Sequence, residues 1–186
     1  LAPYGAAPFD VDGVRGHVVR RDMVDHPRFE MVVDAADGPA VWRALAEAGA
    51  TPIGQDALEV LTVERGEPWY GRELGEAYNP LETGLWGSIS FTKGCYIGQE
   101  VVAKIDTYGG LNKRLMALRL DHDDPVAAGT RLWREEKGEW RDLGVSTSWA
   151  YSFALDCGLV LAYVKRKHQE AGTVFRLGDG PGTATI

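Results

Sequence analysis

The sequence has 186 residues, of which 45% are hydrophobic and 25% are charged, the balance of a globular chain with one or two domains. Its formal net charge of −7 argues against broad, non-specific nucleic-acid binding, because such binding depends on Lys and Arg neutralising phosphates. The two cysteines, Cys95 and Cys157, are too few for a disulfide framework and lack the paired spacing of a zinc site. We therefore predict no metal site and a reducing, cytoplasmic location.

Neither the apolar runs nor the first residues indicate a membrane anchor. The longest apolar run, residues 158–164, is too short to span a bilayer, so no membrane partner is expected. The chain opens without methionine in loop-like sequence that lacks a signal core, and we expect it to be a fragment of a longer protein.

The first predicted elements are two strands. Residues 15–21 and 28–34 show strand character and are joined by a loop that contains His26 and Pro27. Alternation in the second strand puts Glu30 opposite a face formed by Phe29, Met31 and Val33.

Two helices are predicted next. Asp37 or Gly38 can cap the first, and Gly49 ends it. Its apolar residues at helical spacing are Val41, Trp42, Leu45 and Ala46. The second helix is predicted over residues 55–65, so the first part of the chain is α+β.

The second half changes from helix to short strands. Residues 67–88 carry Gly and Pro breaks and are predicted as a long ordered loop, followed by a helix over residues 98–108. The predicted strands then cover residues 114–120, 130–135, 143–151, 158–165 and 173–178. Short strands at close spacing with glycine-marked turns favour a small β-barrel or sandwich. We place a domain boundary near Gly110–Lys113, which gives domains of residues 1–112 and 113–186.

Cys95 lies in the run FTKGCYIGQE, between Lys93 and the start of the predicted helix. A nearby ammonium and the amide groups of a helix start both favour a thiolate, and Gly94 and Gly98 would allow a close backbone approach to it. The alternative is a buried cysteine that acts as a small hydrophobic residue, which base rates favour. None of the four histidines is near Cys95 in sequence, so a Cys–His pair would have to form in space.

Glu30 is the second candidate. A carboxylate on the polar side of a strand could point into a cleft and accept two hydrogen bonds from a planar amidine-like ring edge. The alternative is a solvated glutamate on a half-exposed strand, which alternation alone favours.

Aromatic and basic residues form further candidate groups. The aromatics near the loop and the cysteine could stack on a flat ligand or bury their rings between domains: they are Trp69, Tyr70, Tyr96 and Tyr108. Two basic clusters, Lys113-Arg114 and residues 165–168, are best explained as solvated surface in an acidic chain.

A family resemblance rests on the cysteine motif. The run SISFTKGCYIGQEVVAK, residues 88–104, followed by NKR, resembles the signature of the YgfZ-type folate-binding proteins. These are relatives of GcvT, the aminomethyltransferase or T-protein of the glycine cleavage system. Residues 58–85 and 143–166 are similar to T-protein segments that both branches share. The resemblance covers roughly residues 15–178.

This resemblance implies a fold, a cofactor and partners. It implies a ferredoxin-like α+β part followed by a small C-terminal β-barrel, with tetrahydrofolate or a one-carbon derivative bound in a cleft between domains. Glu30 would hold the pterin ring, and Cys95 with Lys93 would carry the activity. The other cofactor-binding candidates are Tyr70, Tyr96, Gln99 and Glu100. Family members support iron–sulfur cluster assembly or repair, including for tRNA-modifying enzymes, so iron–sulfur proteins are the implied clients.

Two departures from the family pattern leave alternatives open. Thr62 stands where T-proteins have an arginine, and residues 22–28 replace a T-protein loop. The upstream half with the T-protein catalytic aspartate is not in this chain, so the resemblance alone does not decide whether the protein is an enzyme. The alternatives are an aminomethyltransferase of the glycine cleavage system and a non-catalytic interaction module.

Overall fold

The computed structural model describes residues 1–22 and 27–186, and it forms two compact units, Leu1–Leu58 and Glu59–Ile186. His26, in the loop predicted between the first strands, lies outside the described residues. The sequence-based boundary between residues 112 and 113 stays a prediction.

The first unit contains a three-stranded antiparallel sheet. Its strands are β1 (Ala6–Val11), β2 (Val14–Arg20) and β3 (Phe29–Val33), paired in the order β1-β2-β3. Asp12 and Gly13 join β1 to β2 with φ values of 52° and 83°, the left-handed pair that a tight type I′ hairpin requires. Strand β1 was not predicted, because its Pro8 weakens a strand pattern and is tolerated in it only at a sheet edge.

Helix α1 (Gly38–Glu47) follows the sheet, as predicted. It ends at Gly49, whose φ of 95° favours glycine, and the amide of Ala50 donates to the carbonyl of Leu45 at 3.0 Å. Of the predicted apolar face only Val41 is buried, while Trp42 and Leu45 are exposed. The predicted spacing of these apolar residues along the helix was correct. Among the described residues, however, nothing buries Trp42 or Leu45.

Helix α2 (Gln55–Glu64) runs from the first unit into the second. Its last turns pack on the outside of the barrel, where Val63 joins a buried cluster with Leu159 and Leu161. Helix α3 (Gln99–Tyr108) follows the long loop, as predicted.

A closed six-stranded barrel forms the rest of the second unit. Its strands are β4 (Lys113–Leu120), β5 (Arg131–Glu136), β6 (Glu139–Ser152), β7 (Cys157–Lys165), β8 (Val174–Leu177) and β9 (Thr183–Thr185), and the strand order is β4-β7-β6-β5-β8-β9. Residues from all six strands fill the interior, among them Leu118, Leu132 and Phe175. The predicted α+β fold with a small C-terminal β-barrel is confirmed.

Strand β7 is buried along nearly its whole length because it is covered on both faces. Val160 and Val164 point to the barrel interior, and Leu159 and Leu161 lie under α2. This explains the continuous apolar run of residues 158–164, since a strand buried on both sides does not need alternation. Strand β9 was not predicted, because three residues are too few to show a period.

Candidate functional site

The two cysteines have opposite environments. Cys157 is buried in β7, with 4% of its surface exposed, whereas Cys95 is exposed just before α3. The burial that base rates favour is therefore correct for Cys157 and wrong for Cys95. A thiol open to solvent can meet a ligand, a partner or an oxidant, as a buried thiol cannot.

Residues 90–98, here called the cysteine turn, are held by short-range contacts. The backbone amide of Lys93 donates to Ser90 Oγ at 3.2 Å, and Lys93 Nζ lies 5.2 Å from the ring centroid of Tyr96. The amide of Tyr96 donates to Gln99 Oε1 at 3.1 Å. The turn therefore brings Lys93, Tyr96 and Gln99 together beside Cys95.

Within this turn Gln99 has a structural task. Its side-chain oxygen accepts from the backbone amide of Tyr96, and its backbone amide donates to the carbonyl of Tyr96 at 3.3 Å. Gly98, with φ of 87°, occupies the left-handed region that the turn into α3 requires. Glu100 is exposed in the first turn of α3, where its carboxylate complements the positive end of the helix dipole.

The close backbone approach expected at Gly94 and Gly98 is not seen. A Cβ added at either glycine would meet no atom within 4 Å beyond its chain neighbours, so among the described residues the space beside both is open.

Exposed apolar side chains occur within the cysteine turn and in the segments that flank it in sequence. Trp86 and Phe91 stack with ring centroids 6.3 Å apart, and both are more than one third exposed. Ile97 is fully exposed, and Tyr108 at the end of α3 is 81% exposed. Several large apolar side chains exposed in one segment are more typical of a contact face than of a solvated loop.

Glu30 lies in β3 of the first unit, opposite Val19. Its carboxylate is about one third exposed and forms ion pairs with Arg28 at 3.0 Å and with Arg21 at 3.4 Å. Alternation alone favours a freely solvated Glu30, but in the structure this carboxylate is a member of an ion-pair cluster. Partly exposed pairs of this kind contribute little net free energy, so a ligand's donors can displace them.

The predicted common cleft for Glu30 and Cys95 stays a prediction, because the two residues lie in different compact units. Tyr70, the other proposed cleft residue, is 83% exposed in a loop of the second unit, so its ring is available to a ligand or a covering segment.

Thr62, at the position of the T-protein arginine, is buried on α2 with 5% of its surface exposed. Its hydroxyl donates to the carbonyl of Glu59 at 2.7 Å. The side chain is thus satisfied by its own helix and offers no charge to a ligand.

A buried glutamate that the sequence analysis did not single out fixes the long loop to the barrel. Glu73, 1% exposed, accepts hydrogen bonds from Ser148 Oγ at 2.6 Å and from the amide of Trp69 at 2.9 Å. The hydroxyl of Tyr163 donates to the carbonyl of Glu73 at 2.8 Å. The sequence signal was the hydroxyl run Ser146-Thr147-Ser148 in β6, which leaves buried hydroxyls in need of partners.

A lysine and two tyrosines continue this contact. The rings of Tyr78 and Tyr163 stack 3.8 Å apart, and Lys113 Nζ lies 4.4 Å from the Tyr78 centroid. Burial, followed by the nearby charge of Glu73, raises the pKa of Tyr78. Burial also raises the pKa of Tyr163. The prediction that Lys113 is a solvated surface lysine is therefore wrong, because cation–π contacts hold its side chain against the barrel.

Comparison with known protein families identifies both parts of the chain. Residues 2–93 match the GCVT N-terminal domain family, and residues 113–182 match the glycine cleavage T-protein C-terminal barrel domain family. Together the two matches cover most of the chain, which belongs to the GcvT-like family.

Relatives among curated proteins have similar identities. A chloroplast protein of Arabidopsis thaliana, named as a candidate transferase, is 33% identical over 95% of this chain and 40% of its own length. The aminomethyltransferase of Rubrobacter xylanophilus is 35% identical over 100% of this chain and 49% of its own length. That of Saccharopolyspora erythraea is 32% identical over 97% and 49%. The chain thus spans about half the length of the curated relatives it matches.

A solved structure shares the fold. The glycine cleavage system aminomethyltransferase T from Bartonella henselae superposes with a TM-score of 0.77 at 18% identity, over 96% of this chain and 50% of that one. Among the residues that the structure describes, no helix is both long and apolar enough to cross a membrane.

Proposed function

We propose that the full-length protein binds tetrahydrofolate and supports iron–sulfur cluster assembly or repair, as YgfZ-type proteins do. The observation that carries this proposal is Cys95, an exposed thiol within the run KGCYIGQE, which T-proteins lack. Membership of the GcvT-like family supports the folate part. A cytoplasmic location and iron–sulfur clients, including tRNA-modifying enzymes, belong to the same proposal.

Glu30 is the proposed pterin ligand. Its two carboxylate oxygens can accept the two parallel N–H groups of a pterin edge, which gives both orientation and affinity. Arg21 and Arg28 occupy these oxygens in the structure, so folate binding requires the arginines to turn away. Because Thr62 carries no charge, the anionic tail of folate must find its cation elsewhere than at the T-protein position.

Cys95 is the proposed functional thiol, with Lys93 beside it. Tyr96, Gln99 and Glu100 fix the turn and the start of the helix that present it. The second cysteine does not assist it in binding a cluster, since Cys157 is buried in the barrel wall. We therefore assign Cys95 to a contact with a client or with a folate-bound group rather than to resident cluster ligation.

The folate assignment is tested by anaerobic calorimetry of the full-length protein with tetrahydrofolate. We expect Glu30→Gln to weaken binding about tenfold or more, because one charged acceptor for two donors is lost. The control is Glu47→Gln, which makes the same change in charge at an exposed position of the same unit. Unchanged affinity of Glu30→Gln would show that the pterin assignment is wrong, and no binding by the wild type would favour a pure interaction module.

An aminomethyltransferase is the second candidate, because most of the similar curated proteins carry that name. The discriminating assay measures methylene transfer from an aminomethyl-lipoyl carrier to tetrahydrofolate. Robust turnover that survives Cys95→Ala would favour this candidate over the YgfZ-type role. The YgfZ-type role predicts a different result. The wild type should restore iron–sulfur enzyme activity in cells that lack the protein, and Cys95→Ser should not.

A further inference from the structure

A groove of about 970 Å³ lies at one rim of the barrel and belongs to neither the cysteine turn nor Glu30. We call it the rim groove. Its walls are the linker into β4, the β5–β6 hairpin with the adjoining part of β6, and the turn that follows β7. Its charged lining residues are Lys113, Arg141, Lys165, Arg166, Lys167, Glu136 and Asp142.

The rim groove carries an excess of positive charge in a chain of net charge −7. Its two carboxylates are already occupied. Glu136 pairs with Arg141 at 3.7 Å, and Asp142 pairs with Arg131 at 3.3 Å. Among residues 1–22 and 27–186, no carboxylate lies within 4.0 Å of the side-chain nitrogens of residues 165–167, so these three cations remain uncompensated.

The three cations are consecutive in sequence and all line the groove. Lys165 ends β7, and the chain then forms a 3-10 turn, Arg166–His168. The amide of Arg166 donates to the carbonyl of Asn112 at 2.9 Å, and Gln169 Nε2 donates to the carbonyl of Val164 at 2.7 Å. These bonds fix the backbone at both ends of the turn, so the attachment points of the three side chains are set before any ligand arrives.

Strand pairing places a second lysine opposite Lys165. Lys113 and Lys165 are directly opposite each other in β4 and β7, but Lys113 Nζ lies over the Tyr78 ring and 4.0 Å from Glu82, so Lys165 is the cation of this pair without a carboxylate partner among the described residues. Lys165 Nζ donates to the carbonyl of Asp142 at 2.7 Å, a neutral acceptor that holds the ammonium without cancelling its charge. A bulge opposite Leu132 and Trp133 leaves Leu143 as an extra residue of β6 at the groove, and such bulges are enriched at barrel rims and binding sites.

We propose that the rim groove binds a small ligand that carries two or three phosphates in series. Arg166 is suited to bidentate phosphate contacts, and Lys165 and Lys167 supply point charges on either side of it in sequence. The fixed turn presents three cations to a compact ligand. A nucleic acid would need a longer basic track, which the negative net charge opposes.

The test uses inorganic tripolyphosphate as the probe and calorimetry of the full-length protein. We expect saturable binding with one site, weakened about tenfold or more in the double variant Arg166→Gln/Lys167→Gln. The control, Lys104→Gln/Arg119→Gln, makes the same change in net charge at exposed positions outside the groove and should bind as the wild type does. Equal unfolding midpoints of the two double variants exclude misfolding as the cause.

Three results would overturn the proposal. These are no saturable binding, equal losses in the two double variants, and citrate binding as tightly as tripolyphosphate. The proposal is also overturned if a short single-stranded RNA binds far more tightly than tripolyphosphate with the same dependence on Arg166 and Lys167. That result would identify nucleic acid, and not a small polyphosphate, as the ligand. The inference does not rest on the folate proposal, since Arg166→Gln/Lys167→Gln should leave tetrahydrofolate affinity unchanged.

Discussion

The barrel and the cysteine turn lie in the same compact unit but distribute polar and apolar groups in opposite ways. The barrel encloses Cys157 and a continuous apolar strand, and the loop carboxylate buried against it, Glu73, has hydrogen-bond partners. The cysteine turn exposes Cys95 and the whole side chain of Ile97, and the hydrogen bonds that hold it in the described part of the chain join near neighbours in sequence. The barrel therefore supplies the stability, whereas the turn presents a surface for contacts.

The largest expected effect separates the two cysteines. Cys95 is exposed and should react rapidly with a small thiol reagent. Cys157 should react at least about a thousandfold more slowly, since its thiol is reached only when the strand opens. Timed labelling followed by mass spectrometry gives both rates. Cys95→Ser should remove the fast phase and Cys157→Ser should leave it unchanged; two fast phases in the wild type would contradict the comparison.

The next effect compares truncation of two aliphatic side chains. Leu161→Ala removes a side chain that is 1% exposed and should lower the free energy of unfolding by about 2–5 kcal/mol, because it leaves a cavity between β7 and α2. Ile97→Ala changes a fully exposed side chain and should stay within about 0.5 kcal/mol of the wild type.

Urea unfolding of both variants, with the wild type alongside, measures this difference. A loss at Ile97 as large as the loss at Leu161 would mean that the cysteine turn is packed and not a free surface. Altered client or folate binding by Ile97→Ala at unchanged stability would instead support a contact role for the turn.

The smallest of the three effects concerns the buried carboxylate. Glu73→Ala leaves Ser148 Oγ and the amide of Trp69 without their acceptor, so we expect a loss of about 1–3 kcal/mol in the free energy of unfolding. Glu76→Ala, three residues along the same loop and exposed, should change it by less than about 0.5 kcal/mol.

The same urea experiment measures both glutamate variants. If the two cost the same, the long loop is not fixed to the barrel through Glu73. Proteolysis within residues 67–88 provides a second readout, because release of the loop should expose it to cleavage in Glu73→Ala alone.

Local signals explain which elements could be predicted. Helix α1 ends at Gly49 and α3 follows Gly98, and both glycines have the positive φ that their positions required. The longer barrel strands showed apolar runs between turns, and the fold class followed from them. Strands β1 and β9 were missed because one contains a proline and the other has only three residues.

The candidate site was less predictable because its properties depend on non-local contacts. The motif identified Cys95, but nothing in its neighbours showed that the thiol is exposed. Glu73 and Ser148 are 75 positions apart, and no sequence pattern connects a loop glutamate to a strand serine. The predictions that Lys113 is solvated surface and that Gly94 makes a close approach failed for the same reason.

The sequence by itself determined the α+β order, the approximate limits of the helices and longer strands, and the motif that raises Cys95 as a functional thiol. These follow from periodicity, capping residues and a long specific run, all of which act over a few neighbouring residues. Tertiary structure alone decided which cysteine is open, which carboxylate is buried and which lysines form the rim groove. Burial and charge compensation are set by side chains that the fold brings together from distant positions. The local sequence does not show which positions will meet.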